Sequence, residues 1–320
     1  MFGLRFLITK SFLRNKLTGS LCFSSEESFF VWYNIPMIKV KCPAKINLTL
    51  EVVNRREDGF HNIKSVMQMI GLYDFLTINL RPADRLVINL SGTSDEIPYN
   101  EKNLVYKAAE LLLNKVGITS EVDIHIEKNI PIAAGLAGGS TDAAGTLWGL
   151  NRILGEPLNS VELEKLCALL GSDLNVCLNG GCVLATSRGE ITETLPLIKS
   201  PVTLIKPKHL GISAGEAYKK YVAKEFKPHN NCTEKMVSEL ERGGDIRPYL
   251  YNDLEYAVFD DYVELQMIKK AYPQAVMSGS GSTYFALENL KENKLGEDFL
   301  FINGLEFVSH GVSEESTLQV

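Results

Sequence analysis

A run of small residues between positions 131 and 144 is the part of the sequence best suited to chemistry. It reads PIAAGLAGGSTDAA, after a segment with strand-like alternation and before one with helical spacing. Glycine and alanine let a ligand approach the backbone closely. The first amides of a helix lack partners within the helix and lie at the positive end of its dipole. The run therefore predicts a loop that binds phosphate.

Two familiar nucleotide-binding motifs are excluded for this run. No Gly-Lys-Ser/Thr follows the glycines, as a Walker P-loop requires, and the glycine spacing differs from that of a dinucleotide fingerprint. The structural alternative is a tight turn before a helix capped by Ser140, Thr141 or Asp142. The density of Gly, Ala and Ser over so many positions favours phosphate binding.

Two charged residues elsewhere are candidates for catalysis. Lys45 lies between Pro-Ala and an apolar strand, where a partly desolvated ammonium could pair with a carboxylate or a phosphate. Considered alone, it is more typical of an edge-strand lysine that faces solvent. Asp173 follows a predicted helix, where a single aspartate is usually a turn residue. If the two met, Lys45 would keep the carboxylate ionised and oriented, but the sequence does not reveal that contact.

A second glycine-containing turn, SGSGST, occupies positions 278–283. Its free amides and hydroxyls suit an anion, although a simple hairpin turn is the alternative. Two such turns in one chain lead us to infer that one cradles phosphates while the other closes over them.

The elements that must position these residues follow from periodicity. Strands are predicted at 38–53 (interrupted at 42–47, with a bend at Pro43), 66–70, 74–79, 86–90, 122–127, 182–185, 202–206, 275–277 and 284–287. Helices are predicted at 104–116 with Asn103 as a start, from 143 onward, at 160–170 with Ser160 as a cap, at 213–222 and over most of 254–272. Residues 225–249 are interpreted as a mobile, irregular insertion.

Composition narrows the class of protein. The 320 residues include 45% hydrophobic and 22% charged side chains, as in globular proteins. A net charge of −6 argues against general nucleic-acid binding. No apolar run reaches transmembrane length. Six cysteines without a Cys-x-x-Cys pair predict reduced thiols in the cytoplasm.

Residues 1–36 differ in composition from the rest, because basic and apolar residues are interleaved there. They are interpreted either as a transit peptide for a plastid-type organelle or, preferably, as sequence upstream of a true start at Met37. We exclude them from the fold and expect them to be poorly ordered.

Four motifs together resemble the GHMP kinase superfamily of galactose, homoserine, mevalonate and phosphomevalonate kinases. They are PAKIN at 43–47, the run at 131–144, GSD at 171–173 and SGSGS at 278–282. Within the superfamily, DGFHN at 58–62, KP at 206–207, GISAGEAY at 211–218 and NDLE at 252–255 resemble the branch that phosphorylates a cytidine diphosphate derivative of methylerythritol for isoprenoid synthesis. The similarity runs from residue 38 to residue 290.

The resemblance implies an α+β (α/β two-domain) GHMP kinase fold. Residues 37–195 would form an ATP-binding domain like domain 2 of ribosomal protein S5, and residues 196–310 a ferredoxin-like domain, with a tail at 311–320. The protein would be cytoplasmic, a monomer or weak homodimer, with a small-molecule substrate and no nucleic-acid or membrane partner. Another GHMP kinase of the mevalonate or homoserine type, or a catalytically silent ATP-binding regulator, are the alternatives.

The resemblance also assigns roles to residues. Asp173 would accept or orient the proton of the acceptor 2-hydroxyl, and Lys45 would hold that carboxylate and the transferring phosphoryl group. The ATP phosphates would lie on Pro131, Ile132, Ala133, Ala134, Gly135, Leu136, Ala137, Gly138, Gly139, Ser140 and Thr141. Mg²⁺ would bridge the phosphates, with Ser140 or Thr141 as its protein contacts and no dedicated metal ligands. The acceptor would contact Asn47, Phe60, His61, Ser213 and Tyr218, with Phe60 stacking on cytosine and His61 bonding its edge.

Five positions depart from the family pattern. Phe60 replaces tyrosine, Asn175 replaces proline, Ala214 replaces threonine, and Ala137 and Ser187 each replace glycine. None removes a catalytic group. Asn175 is expected to make the turn at Asp173 less rigid.

Overall fold

The computed structural model describes residues 37–224 and 231–315. The strands are β1 (Met37–Asn47), β2 (Thr49–Arg55), β3 (His61–Pro82), β4 (Val87–Gly92), β5 (Ser120–Glu127), β6 (Cys182–Thr186), β7 (Ile191–Leu195), β8 (Pro201–Pro207), β9 (Tyr251–Asn252), β10 (Val276–Met277), β11 (Tyr284–Ala286), β12 (Phe299–Glu306) and β13 (Ser313–Glu314). The helices are α1 (Leu104–Val116), α2 (Gly138–Ile153), α3 (Ser160–Leu170), α4 (Leu174–Asn179), α5 (Ala214–Ala223), α6 (Cys232–Arg242), α7 (Asp253–Val258) and α8 (Val263–Ala271).

A nine-stranded sheet is organised around the long strand β3. Strand β1 pairs with β3 along much of its length, β5 pairs with its second half, and β6 and β2 pair with its first half. Most pairs are antiparallel, whereas β4 runs parallel to β5 and β9 parallel to β2. Helices α1 and α2 bury apolar residues in one cluster with β1, β3 and β5, so α2 is packed on this sheet.

A bulge explains why β1 and β3 are longer than predicted. The register of β1 against β3 shifts between Pro43, opposite Tyr73, and Ala44, opposite Ile70. Gly71 and Leu72 of β3 have no paired residue in β1 at this shift and form the bulge. The bend expected at Pro43 occurs at this bulge. The predicted interruption at 42–47 and the separate strands 66–70 and 74–79 are therefore wrong, because the bulge bends the ladder without ending it.

A second, four-stranded antiparallel sheet has the order β10-β11-β8-β12. The turn at 278–283 joins its strands β10 and β11 and so projects from its end. Strand β13 does not join this sheet but pairs with β1, so the described part of the predicted tail adds to the larger sheet.

Several local predictions are corrected. Helix α6 lies within the supposedly irregular 225–249, where Met236 and Leu240 are buried, while 225–230 fall outside the described residues. Asn159, not Ser160, caps α3, in a capping box with Glu162. The short helix α4 and the strands β7 and β12 were not predicted. Helix α1 and its cap Asn103 are confirmed.

The predictions about residues 1–36 fall outside the described residues. Within 37–224 and 231–315, no helix is both long and apolar enough to span a membrane. The five described cysteines, at positions 42, 167, 177, 182 and 232, are free thiols.

Candidate active site

A cavity of about 600 Å³ opens where the larger sheet and both glycine turns meet. Its wall includes residues of β1, of the turn after β2, of the loop before α2, of the start of α5 and of the turn at 278–283. Every motif singled out in the sequence except KP at 206–207 therefore contributes residues to one concave surface.

The two charged candidates meet in this cavity. Lys45 Nζ lies 3.5 Å from Asp173 Oδ2, and its side chain is only 4% exposed while that of Asp173 is 30% exposed. Lys45 Nζ also donates to Asn47 Oδ1 at 2.6 Å. Lys45 and Asn47 share a face of β1 because side chains of a strand alternate. Asp173 immediately precedes α4, so a missed helix presents the carboxylate.

The loop before α2 turns sharply and leaves the helix N-terminus open. Ala133, Gly135 and Ala137 have left-handed φ values of 49°, 74° and 59°. Ala137 is the N-cap, and no side chain caps the helix. The capping predicted for Ser140, Thr141 or Asp142 is therefore wrong, because the left-handed Ala137 begins the helix three to five residues earlier. The first amides of α2 remain available to an anion.

The predicted phosphate-binding positions fall into three groups. Gly135, Ala137 and Ser140 line the cavity. Ala134, Leu136 and Thr141 are buried, and Thr141 Oγ1 has no hydrogen-bond partner. The remaining five positions are not part of the cavity wall: Pro131, Ile132, Ala133, Gly138 and Gly139. Of the two hydroxyls predicted to meet Mg²⁺, only that of Ser140 belongs to a residue of the wall.

The second glycine turn contacts the first directly. Ser278 Oγ donates to the Gly135 carbonyl at 2.9 Å, and the Thr283 amide donates to the Ala134 carbonyl at 3.3 Å. A Cβ atom on Gly135 would clash with the Ser278 carbonyl oxygen, so only glycine permits this approach. Gly279 and Ser280 complete that side of the cavity.

The opposite end of the cavity carries aromatic rings. His61 and Tyr218 stack with ring centroids 4.9 Å apart and planes 10° apart. Phe60 is 52% exposed and receives the Arg188 guanidinium 5.0 Å from its ring centroid. Burial lowers the pKa of His61 and nearby Arg55 lowers it further, so the imidazole is neutral at pH 7. His61 Nε2 is buried and has no hydrogen-bond partner among residues 37–224 and 231–315.

Four of the five predicted acceptor contacts lie on the cavity: Asn47, Phe60, His61 and Tyr218. Ser213 does not, because its hydroxyl caps α5 by accepting from the Glu216 amide at 3.2 Å. Its neighbours Ala214 and Gly215 line the wall instead.

Three cations on the wall were missed by sequence reasoning: Arg55, Arg188 and Lys219. Arg188 lies in a turn that was interpreted as a simple connection. In the sequence, Arg188 is a single basic residue in a turn after a predicted strand. Such residues are too common for this one to be recognised as part of a site.

Comparison with known proteins decides the family. Residues 103–184 match the model of the GHMP kinases N terminal domain. The chain is 40% identical over 260 residues to the 4-diphosphocytidyl-2-C-methyl-D-erythritol kinase of Synechococcus, which covers 76% of this chain and 83% of the relative. It is 41% identical over 259 residues to the Bacillus mycoides enzyme of the same name, which covers 78% and 87%. The chain belongs to the 4-diphosphocytidyl-2-C-methyl-D-erythritol kinase family.

Solved structures agree with that family. A crystal structure of 4-(cytidine 5'-diphospho)-2C-methyl-D-erythritol kinase, 32% identical, superposes with a TM-score of 0.63 over 78% of this chain and 90% of that one. A homoserine kinase from Cytophaga hutchinsonii, 19% identical, gives 0.67 over 92% and 100% and shows the fold alone. The fold is thus the α+β GHMP kinase fold.

The structure shows the setting of three of the five expected departures from the family pattern. Ala137 and Ser187, which replace glycine, both have φ near the left-handed value, at 59°. This is the conformation that glycine adopts without strain, and each of these residues bears a modest cost there. Asn175 Nδ2 donates to the Glu190 carbonyl at 2.8 Å. This hydrogen bond connects α4 to the turn at 187–190. It restrains the segment after Asp173, where proline would restrain it by fixing the backbone.

Proposed function

We propose that this protein transfers the γ-phosphoryl group of ATP to the 2-hydroxyl of 4-diphosphocytidyl-2-C-methyl-D-erythritol, a step of the non-mevalonate isoprenoid pathway. The observation that carries the proposal is the Lys45–Asp173 pair at 3.5 Å, between an uncapped helix N-terminus and an aromatic patch in one cavity. A volume of about 600 Å³ falls in the range of roughly 300–1,000 Å³ that is typical of small-molecule sites.

The donor end suits the phosphates of ATP. The open amides at the start of α2 would bind phosphate oxygens, and the Ser140 hydroxyl adds a neutral donor beside them. Within 37–224 and 231–315, no group of three or more His, Cys, Asp or Glu side chains could hold a metal by itself. Mg²⁺ fits here only as a partner of the phosphates, with Ser140 as its protein contact. When bound, it would neutralise phosphate charge.

The central pair suits proton handling and charge stabilisation. Asp173 is partly exposed toward the cavity, so an acceptor hydroxyl can reach its carboxylate and give up or orient its proton. Lys45 is held by Asn47 and Asp173, and its ammonium is almost fully desolvated. A charge in this setting stabilises the oxygens of the transferring phosphoryl group more strongly than one in water.

The acceptor end suits a cytosine ring. Phe60 offers an exposed aromatic ring for stacking, and the His61 ring lies beside it on the cavity wall, although its Nε2 is buried and would have to be uncovered to bond a base. Neither mevalonate nor homoserine has a ring that would use this patch.

The test is a coupled assay of the full chain with ATP, Mg²⁺ and 4-diphosphocytidyl-2-C-methyl-D-erythritol, run beside mevalonate and homoserine. We expect turnover with the cytidylated acceptor alone. Preference for an acceptor without cytosine would redirect the proposal to another GHMP kinase activity. ATP binding without transfer to any acceptor would make the protein a silent regulator.

A further inference from the structure

Three charged side chains form a buried cluster beneath the phosphate-binding loop. Lys128 Nζ forms an ion pair with Asp74 Oδ2 and another with Asp142 Oδ2 at 3.0 Å. The side chains of Lys128, Asp74 and Asp142 are 6%, 0% and 3% exposed. None of the three lines the cavity, so the mechanism proposed above does not use them.

The cluster holds both ends of the loop. Asp74, on β3, accepts the amides of Asn129 at 2.6 Å and Ile130 at 2.7 Å with its second oxygen, just before the loop begins. Asp142 lies in α2, just after the loop ends. Lys128 forms ion pairs with both carboxylates, so the same cluster holds the chain just before and just after the loop of residues 131–137. A buried ion pair is a poor source of net stability but an effective way to fix geometry.

The contact with α2 is close. A Cβ atom on Gly138, the first residue of the helix, would lie 2.8 Å from Lys128 Nζ. The ammonium therefore lies directly against the backbone whose amides face the phosphate site. A shift of Lys128 would move that backbone.

Attraction of phosphate is not the role of this cluster. Two carboxylates and one ammonium sum to a formal charge of −1, which would repel an anion. Burial raises the pKa of Asp142 to about 7 despite the nearby Lys128. Protonation of Asp142 would bring the charge of the cluster from −1 to zero, and the cluster would still not attract an anion. What remains is control of geometry.

We propose that Lys128, Asp74 and Asp142 are positioning residues for ATP, which fix the direction of the amides at the start of α2 without touching the nucleotide. This inference rests on the proposed function, because it assumes that the loop binds the phosphates of ATP.

The decisive variant is Asp142→Ala in the full chain. It removes the ion pair between α2 and Lys128. Lys128 keeps its ion pair with Asp74, whose net charge is zero, so no buried charge is left without a partner. We expect the Kd for ADP, measured by titration calorimetry without acceptor, and the KM for ATP to rise about tenfold because the amides lose alignment. The KM for the acceptor should stay within about twofold, since that end of the cavity is untouched. Asp142→Asn keeps an oxygen for Lys128 and should restore ADP binding.

Asp123→Ala is the matched control. Arg81 on β3 pairs with Asp123 at 2.5 Å and Glu121 at 3.0 Å, again one cation with two carboxylates, but partly exposed and away from the loop. This change should leave ADP affinity unaltered.

Three outcomes would overturn the inference. They are an unchanged Kd for ADP in folded Asp142→Ala, an equal loss of ADP and acceptor affinity, and a wild-type chain that does not bind ADP. If Asp142→Ala does not fold, Asp142→Leu, which fills the volume, is measured in the same way. Wild-type binding of ADP without phosphorylation of the cytidylated acceptor would refute the proposed function alone, because the ADP titrations would still decide the role of the cluster.

Discussion

Replacement of Lys45 by methionine tests the catalytic pair most directly. Methionine keeps most of the volume and removes the ammonium, with both its charge and its hydrogen bond to Asn47 Oδ1. The side chain of Lys45 is 4% exposed and its Nζ lies 3.5 Å from Asp173 Oδ2, and the variant removes this ion pair. The Lys45 amide still donates to Leu136 O at 3.1 Å, because a side-chain change does not alter the backbone. The phosphate loop should therefore keep its position.

The size of the effect follows from the distance. Two unit charges 3.5 Å apart attract by about 5 kcal/mol at an effective dielectric constant of about 20. Asp173 is 30% exposed, so water replaces part of this interaction in the variant. If the transition state loses roughly half of this attraction, kcat falls about a hundredfold, because each factor of ten in rate corresponds to about 1.36 kcal/mol. Asp173→Asn removes the proton acceptor and should lower kcat by at least about a hundredfold as well.

The assay compares kcat, the KM for ATP and the melting temperature of wild type, Lys45→Met and a control. Lys64→Met is the control, since Lys64 on β3 is half-exposed and pairs with Glu234 on the surface. We expect kcat to fall for Lys45→Met alone, with the KM for ATP and the melting temperature nearly unchanged. A kcat within threefold of wild type in a folded Lys45→Met protein would refute the role of the pair.

Three further predictions concern separate parts of the molecule. Phe60→Ala should weaken acceptor binding by about 1–3 kcal/mol through lost stacking, with the KM for ATP unchanged, as substrate titrations would reveal. Gly135→Ala should lower stability by more than about 2 kcal/mol, because of its clash and its φ of 74°, whereas Gly139→Ala, with open space around it, should be neutral or slightly stabilising in denaturant unfolding. Burial raises the pKa of Asp142 to about 7. Between the ordinary carboxyl pKa and pH 7, the native state therefore binds more protons than the unfolded state. The free energy of unfolding should fall as pH rises through that window. Asp142→Asn should remove this slope and be more stabilising at pH 8 than at pH 5, and equal slopes for both proteins would contradict the assignment.

The location of the site could be predicted from the sequence because its motifs are local. Alternation before residue 128 and helical spacing after 143 place the small-residue run between a strand and a helix; in the structure residues 131–137 form the loop between β5 and α2, and residues 138–144 are already the start of α2. The open helix end could not be predicted in detail. Ala137 takes the left-handed conformation that usually signals glycine, and so the helix begins before the serine and threonine that looked like caps.

Contacts between distant segments could not be predicted in the same way. Lys45 and Asp173 were each ambiguous alone, and their meeting depends on how β1 and α4 pack. The buried cluster was missed because Asp74 resembled an ordinary strand residue. Its partner Lys128 directly follows β5, whose pairing with β3 sets Glu127 opposite Phe75, and no local pattern encodes that pairing.

Backbone bonds of β1 connect Lys45, the proposed catalytic lysine, to both glycine turns. The Lys45 amide donates to Leu136 O in the first turn at 3.1 Å, and the Asn47 amide donates to Ser278 Oγ in the second at 3.3 Å. Ser278 Oγ in turn donates to the Gly135 carbonyl, which closes a ring of bonds around the cavity. The phosphate loop, the lysine and the second turn are therefore one mechanical unit. If ATP binds as proposed, a nucleotide that orders either turn would also order the Lys45 ammonium, so the same three hydrogen bonds would couple donor binding to the alignment of the lysine.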